Sequence, residues 1–329
     1  MRRRDFITLI GGTTVTWPLA ARAQQSNEIK RIGIVMPYAE HDPEASPRLT
    51  ALREGLLTLG WTEGRNIRFE RRLVSDAEIM PKLAREIVDT RPDAILTDTT
   101  AATAAVLHET RTIPVVFVQV GDPVGSGFVA SFQHPGGNAT GFNSYPPTLT
   151  SKWLELLMEI APRTARVMYL FNLPTTPYAQ RFFEPLKAAA SSIGVEAVAS
   201  PVDDPAEIET VVAGFARQPD SGLIVPPSAF MGAHRDLVAA LAERYRLPAI
   251  YGFRFYAESG GLISYGSVPP DAYRQAATYI DQILRGAKPA DLPVQMPVKF
   301  ELVVNLKTAK AMDLKIPESF LVRADEVIE

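Results

Sequence analysis

Residues 31–36 read RIGIVM, and residues 47–59 read PRLTALREGLLTL. The first stretch is a short, β-branched apolar run, which predicts a buried strand. The second repeats leucine at helical spacing and stops at Gly60, which is the pattern of an amphipathic helix with a glycine at its end. A strand followed by a helix of this length, if repeated, predicts right-handed crossover units and a parallel sheet.

The same alternation runs through the rest of the chain in two series. The first series predicts strands at 31–36, 66–74, 94–97 and 115–118, and the second predicts strands at 166–171, 195–200, 222–225 and 248–251. Helical periodicity separates the strands in both series, and a tail adds a strand at 262–265, a helix at 272–284 and an extended segment at 298–305. The fold class is therefore α/β, with two doubly wound parallel-sheet lobes.

The N-terminus is typical of an export signal. A basic start at Arg2, Arg3 and Arg4 is followed by an apolar stretch and by Ala21-Arg22-Ala23, a small-x-small cleavage pattern. The pair Arg3-Arg4 favours the twin-arginine route over the ordinary secretory route. We therefore expect residues 1–23 to be removed near Ala23, giving a soluble periplasmic protein.

Composition excludes several classes of protein. Without residues 1–23 the chain holds 30 Lys and Arg against 36 Asp and Glu, a net charge of about −6. A mildly acidic chain without a basic patch is a poor nucleic-acid binder. The sequence contains no cysteine, so disulfides, a thiol nucleophile, a thiolate metal site and a lipid-bearing cysteine are all excluded.

Ligands of open parallel sheets bind beyond the carboxyl ends of the strands. Thr99, Thr100 and Ser228 stand where helices begin, so their hydroxyls and the free backbone N–H groups could hold an anion, or they could simply cap the helices. Asp122 could pair with an ammonium group or could only form a turn. Six aromatic residues at strand ends favour a cleft for a small organic ligand, although any one of them could be ordinary packing. They are Tyr38, Tyr145, Tyr178, Tyr251, Phe253 and Tyr265.

Patterns of catalysis and of metal binding are scarce. The four histidines are scattered without metal-ligand spacing, and there is neither a Gly-x-Ser-x-Gly elbow nor a Walker loop. We therefore expect no enzyme activity, no metal and no cofactor.

Several short blocks resemble a known family. They are IPVVF at 113–117, VGDPV at 120–124, HPGGNATG at 134–141, GGLISYG at 260–266, LRGAKPADLP at 284–293 and VNLKTA at 304–309. Together they are similar to the ABC-transporter substrate-binding proteins of the tryptophan/tyrosine-binding type, which have the type I periplasmic-binding-protein fold.

The resemblance implies two lobes joined by a three-segment hinge, a small-molecule ligand, and delivery of that ligand to an ABC permease and its ATPase. We expect one lobe to hold residues 24–141 and about 261–288, and the other to hold residues 142–260 and about 289–329. The ligand-binding residues carried over by position are Tyr38, Thr99, Thr100, Asp122, Ser144, Asn172, Ser228, Tyr251, Phe253 and Tyr265.

The ligand expected from these residues is an amino acid or another small carboxylate, bound by a monomer. Two other functions stay open at this point. The chain could be a ligand sensor that docks on a receptor kinase, or a secreted α/β hydrolase, although no convincing pair of nucleophile and base is visible.

Overall fold

The computed structural model describes residues 29–39, 41–74, 76 and 78–329. The expected export signal at residues 1–23 lies outside these residues.

The first part of the chain alternates strands with helices, as its sequence periodicity predicts. Its elements are β1 (Lys30–Met36), α1 (Ala45–Thr58), β2 (Ile67–Leu73), α2 (Met80–Asp89), β3 (Ala94–Asp98), α3 (Thr99–Glu109), β4 (Val115–Val120) and β5 (Ala139–Asn143). The five strands form one parallel sheet in the order β2-β1-β3-β4-β5, which is the core of the first lobe.

The middle of the chain repeats this alternation and starts a second sheet. Its elements are α4 (Leu149–Ile160), β6 (Arg166–Phe171), α5 (Ala179–Ser192), β7 (Glu196–Pro201), α6 (Pro205–Phe215), β8 (Ser221–Val225), α7 (Ala229–Ala233), α8 (Arg235–Arg244), β9 (Ala249–Tyr251), α9 (Arg254–Glu258) and β10 (Ile263–Ser267).

The tail contributes to both lobes. Its elements are α10 (Pro269–Leu284), a 3₁₀ turn (Pro289–Asp291), β11 (Phe300–Asn305), α11 (Leu306–Ala311), α12 (Glu318–Leu321) and β12 (Glu326–Ile328). The second sheet has the order β12-β11-β10-β9-β8-β6-β7, and only the pairing of β10 with β11 is antiparallel. The predicted fold class, two doubly wound α/β lobes, is confirmed.

Strand pairing corrects two of the expected lobe boundaries. β10 pairs with β9, with Ile263 beside Ile250, and Ile263 is buried in the core of the second lobe. Residues 261–267 therefore belong to the second lobe, although we expected them in the first. Residues 289–295 instead bond to the first lobe, since the Thr140 hydroxyl donates to the Leu292 carbonyl at 2.5 Å.

The chain passes between the lobes at three places in its described part. These crossings are residues 144–148, residues 267–268 and residues 296–299. The second crossing leads into α10, which packs along α1 in the first lobe. The three-segment hinge that the family resemblance implies is therefore present.

No helix in the described part of the chain is both long enough and apolar enough to cross a membrane.

Two helical glycines differ in the space around them. A Cβ on Gly55 in α1 would lie 2.8 Å from the Ala277 Cβ and 3.0 Å from the Arg274 carbonyl oxygen of α10, whereas a Cβ on Gly214 in α6 would meet nothing within 4 Å. We expect Gly55→Ala to destabilise the protein by about 1 kcal/mol or more, because α1 and α10 must move apart. Gly214→Ala should stabilise it by about 0.5–1 kcal/mol through helix propensity alone.

Chemical denaturation of both variants beside the wild type measures these changes. A Gly55→Ala variant as stable as Gly214→Ala would show that the α1–α10 contact does not require a glycine.

Candidate functional site

The carboxyl ends of strands from both lobes face one narrow space, here named the inner cavity. It has a volume of about 20 Å³, room for roughly one water molecule. The first lobe lines it with Tyr38, Thr99, Thr100 and Gln119. The second lobe lines it with Thr175, Thr176, Tyr178, Pro227, Ser228, Ala229, Gly232, Phe253 and Phe255. Because its walls nearly touch, a larger ligand can enter only after the lobes separate.

Five of the ten predicted ligand-binding residues line the inner cavity. They are Tyr38, Thr99, Thr100, Ser228 and Phe253. Each follows the end of a strand, so the rule that ligands bind at such ends finds them from sequence. Gln119 and Thr175 were missed as site residues, although each lies at or just beyond the end of a strand.

The start of α3 brings to the inner cavity a hydroxyl that is unpartnered within the described chain. Asp98 occupies the N-cap position, but its side chain does not bond to the helix. Thr99 has a φ of 77°, in the left-handed region that threonine rarely adopts. Its buried hydroxyl has no hydrogen-bond partner among the described residues. A helix start with unfilled N–H groups and a free hydroxyl is suited to an anion or a carbonyl oxygen.

The second-lobe wall is held by a chain of hydroxyls. The Thr175 hydroxyl donates to the Asn172 Oδ1 at 2.7 Å and lies 3.3 Å from the Ser228 hydroxyl. Ser228 in turn accepts from the backbone N–H of Met231. Asn172 also donates to the Val202 carbonyl. Asn172 therefore shapes this wall from behind and does not line the inner cavity, contrary to our expectation for it.

Ser144, Tyr251 and Tyr265 also lie outside the inner cavity. Ser144 is buried behind Gln119, to which its hydroxyl donates at 3.0 Å. Tyr251 is fully buried and stacks on Tyr256 with a centroid distance of 4.5 Å. Tyr265 stacks on Phe300 within the second lobe. Aromatic character at a strand end does not distinguish a lining side chain from one that packs into its own lobe.

Asp122 is occupied by a partner from the other lobe. Its Oδ1 accepts from the Gly125 N–H at 2.9 Å, and its Oδ2 forms an ion pair with Arg181 of α5. A second pair joins the lobes where Arg235 Nη1 lies 3.4 Å from Asp42 Oδ2. Asp122 thus bridges the lobes and does not line the inner cavity, contrary to its predicted role as partner of a ligand ammonium.

Tyr178 is a further contact between the lobes. A Cβ on Gly121 of the first lobe would lie 2.0 Å from the Tyr178 ring, so the ring passes directly over the Gly121 backbone. Burial raises the pKa of Tyr178 to about 12, and the hydroxyl is neutral in the physiological range. This ring closes the side of the inner cavity next to β4.

A buried charged cluster lies behind Tyr38 and Thr99. Arg48 of α1 is 1% exposed, its guanidinium lies 4.9 Å from the centroid of the Tyr38 ring, and its Nη1 bonds to Glu44. Asp98 Oδ2 lies 4.0 Å from Arg48 Nε and accepts from the Tyr273 hydroxyl at 2.7 Å. Burial raises the pKa of Asp98 to about 6, against the opposing effect of Arg48.

In the part of the chain that the structure describes, no three His, Asp or Glu side chains are grouped so that they could hold a metal ion.

Comparison with known proteins identifies the family of this chain. Residues 32–328 match the family described as ABC transporter substrate binding protein. The chain belongs to this family. The family resemblance drawn from the short sequence blocks is therefore confirmed, and the family is one of substrate-binding proteins and not of enzymes.

Three proteins of known name or structure are similar to this chain. A tyrosine-binding protein of Clostridioides difficile is 25% identical over 296 residues, covering 88% of this chain and 83% of that protein. The crystal structure of a conserved domain protein from Vibrio cholerae is 26% identical with a TM-score of 0.84, covering 91% of this chain and 100% of the other. The structure of a domain from Streptococcus pneumonia in complex with L-Trp is 24% identical with a TM-score of 0.84, covering 92% and 100%.

The raised pKa of Asp98 makes stability depend on pH. An unfolded Asp ionises near pH 4, whereas the folded group holds its proton up to about pH 6. The folded state therefore binds more protons within this window, and its stability falls as the pH rises from about 4 to about 6. Asp98→Asn removes this dependence, so the wild type should lose stability relative to the variant across the window. Chemical denaturation in steps between pH 4 and pH 7.5 measures the difference, and a difference that does not change with pH would contradict it.

The ion pairs between the lobes should bias the molecule towards closure. Partly exposed pairs contribute about 0.2–1 kcal/mol, so we expect Arg181→Gln to lower the closed-to-open ratio by about fivefold at most. Small-angle X-ray scattering would detect this as a larger radius of gyration. Arg323→Gln is the matched control, because Arg323 pairs with Glu159 inside the second lobe. Equal radii for both variants would show that the Asp122–Arg181 pair does not hold the lobes together.

Proposed function

We propose that the chain is the solute-binding component of an ABC importer that captures a small ligand in the inner cavity. The observation that carries this proposal is the start of α3, where Thr99 and Thr100 line a space between two hinged lobes and the buried Thr99 hydroxyl has no partner among the described residues. Such groups bind a ligand without changing it covalently. Opening and closing about the hinge then lets the ligand enter and be enclosed.

The ligand that this cavity favours is an aromatic amino acid such as tryptophan or tyrosine, or another small aromatic carboxylate. Its carboxylate would bind at Thr99 and Thr100, with Ser228 opposite, because these groups donate hydrogen bonds. Tyr38, Tyr178 and Phe253 would contact its apolar part. The names of the similar proteins from Clostridioides difficile and Streptococcus pneumonia support this ligand class.

The partners and the location follow from the same proposal. The loaded protein would deliver its ligand to a membrane permease that is driven by an ATPase. It would act as a monomer in the periplasm, after export by the twin-arginine route and cleavage near Ala23. A twin-arginine route would mean that both lobes fold before export.

Thr99→Val tests the ligand site directly. The change replaces the hydroxyl by a methyl group of similar shape, and within the described residues it breaks no hydrogen bond. We expect the ligand-free variant to be as stable as the wild type. A lost hydrogen bond to a charged group is worth roughly 1.5–3 kcal/mol, so affinity for an aromatic carboxylate should fall by about 10- to 150-fold.

The measurement is a thermal-shift screen of amino acids, small carboxylates, nucleosides and sugars, followed by calorimetry on the best ligand. A wild type at 100 times its dissociation constant should gain about 2.7 kcal/mol of stability. Thr278→Val is the matched control, since Thr278 lies on the exposed face of α10 and bonds only locally. The absence of any shift with amino acids or carboxylates would contradict the proposed ligand class, and unchanged affinity in Thr99→Val would contradict the placement.

A further inference from the structure

We infer that Gln119 is a specificity-determining residue that makes the inner cavity select ligands by their carboxylate and not by their ammonium group. This inference rests on the proposed function and adds to it the charge class of the ligand. It depends on three features of the described chain: the orientation of the Gln119 amide, the backbone strain at this residue, and the absence of a free carboxylate from the cavity wall.

The Gln119 side chain is fixed from behind. Its Oε1 accepts from the Ser144 hydroxyl at 3.0 Å, and the residue is 6% exposed. The Ser144 backbone N–H also donates to the Val120 carbonyl at 2.8 Å, which ties this point of β4 to the hinge crossing at residues 144–148. With Oε1 engaged by Ser144, Nε2 is the group of this amide that remains for a ligand.

The backbone of Gln119 is also strained. Its φ is 55°, in the left-handed region, where the register of β4 against β5 shifts between Phe117 and Val120. A glutamine in this conformation costs about 1 kcal/mol or more, and such strain concentrates at ligand-binding sites. The Gln119 side chain at this shift in register borders two cavities. These are the inner cavity and a separate cavity of about 150 Å³ between the hinge crossings.

The wall around Gln119 offers hydrogen-bond donors and neutral groups. No Asp or Glu is among the described residues that line the inner cavity. Two carboxylates close to this wall are engaged elsewhere: Asp98 faces Arg48 and Tyr273 behind the wall, and Asp122 pairs with Arg181 at the junction of the lobes. Asp271, which borders the hinge cavity with Gln119, bonds to Arg274. A ligand carboxylate would meet the Gln119 amide, the start of α3 and hydroxyl groups, whereas an ammonium group would meet no ionised partner.

Three probes that share an indole ring separate the two charges. L-Tryptophan carries both groups, indole-3-propionate carries only the carboxylate, and tryptamine carries only the ammonium. For the wild type we expect tryptophan and indole-3-propionate to bind with dissociation constants within about tenfold of each other. Tryptamine should bind at least about tenfold more weakly than either. It has no carboxylate to accept from the Gln119 amide, and a donor that is buried without an acceptor opposes binding.

Gln119→Glu tests the residue. The new carboxylate keeps an acceptor for Ser144 and presents oxygen, not N–H, to the ligand. We expect at least about a tenfold loss of affinity for tryptophan and for indole-3-propionate, and no loss for tryptamine. Gln275→Glu is the matched control, because Gln275 borders the hinge cavity but not the inner cavity; its affinities should equal those of the wild type.

Gln119→Gly separates the binding role from a structural one. Glycine relieves the strain at φ 55°, so the ligand-free unfolding midpoint should not fall below that of Ser144→Ala, which lacks the same side-chain hydrogen bond. Affinity for indole-3-propionate should nevertheless fall by about tenfold.

The outcomes distinguish this inference from the proposed function. A wild type that binds none of the aromatic carboxylates contradicts the proposed function, and this inference with it. A wild type that binds tryptophan, with a Gln119→Glu variant that keeps its affinity for indole-3-propionate, overturns the inference alone. Tryptamine that binds the wild type as tightly as tryptophan also overturns it.

Discussion

Two sheets whose parallel strands direct their carboxyl ends into one space impose the main constraint on this molecule. At each such end a strand stops and a loop or helix begins, so backbone N–H groups are left without partners inside the element. In the first lobe the buried Thr99 hydroxyl at the β3–α3 junction has no hydrogen-bond partner among the described residues. In the second lobe Ser228 caps α7 with its own side chain. The two walls therefore differ, and the stronger demand for a hydrogen-bond acceptor comes from the first lobe.

Charge is kept away from this space by pairing. Asp98 is held behind the wall by Arg48 and Tyr273. Asp122 and Asp42 pair with arginines of the opposite lobe. Asp98 thus lies within the first lobe, and Asp122 and Asp42 bridge the lobes. The inner cavity itself is lined by hydroxyls, one amide, aromatic rings and small residues. An ionised group left unpaired in so narrow a space would be costly to desolvate, which explains why each of these carboxylates has a basic partner.

Periodicity was sufficient to predict the sheets, because a buried strand and an amphipathic helix differ in hydrophobic spacing. Five of the ten predicted site residues line the inner cavity, since strand ends converge whatever their sequence. The rest depended on contacts between distant residues. The partner of Asp122 is Arg181, 59 residues away in the other lobe, and no local pattern identifies it. Tyr251 packs on Tyr256 of the short helix α9, which the periodicity did not reveal. The boundary near residue 261 was misplaced because β10 stays in the second sheet before the chain returns to the first lobe.

Closure of such a molecule is a balance of small energies. The lobes touch through the Tyr178 ring over Gly121 and through two partly exposed ion pairs, each of which is worth about 1 kcal/mol or less. A ligand shifts this balance only by its differential affinity for the closed arrangement. Contacts that a ligand makes with one lobe alone raise affinity without driving closure. A residue that touches both the ligand space and a hinge crossing is placed to link ligand contact to the hinge. Gln119 has this position, because its side chain lines the inner cavity and accepts a hydrogen bond from Ser144 at the first crossing.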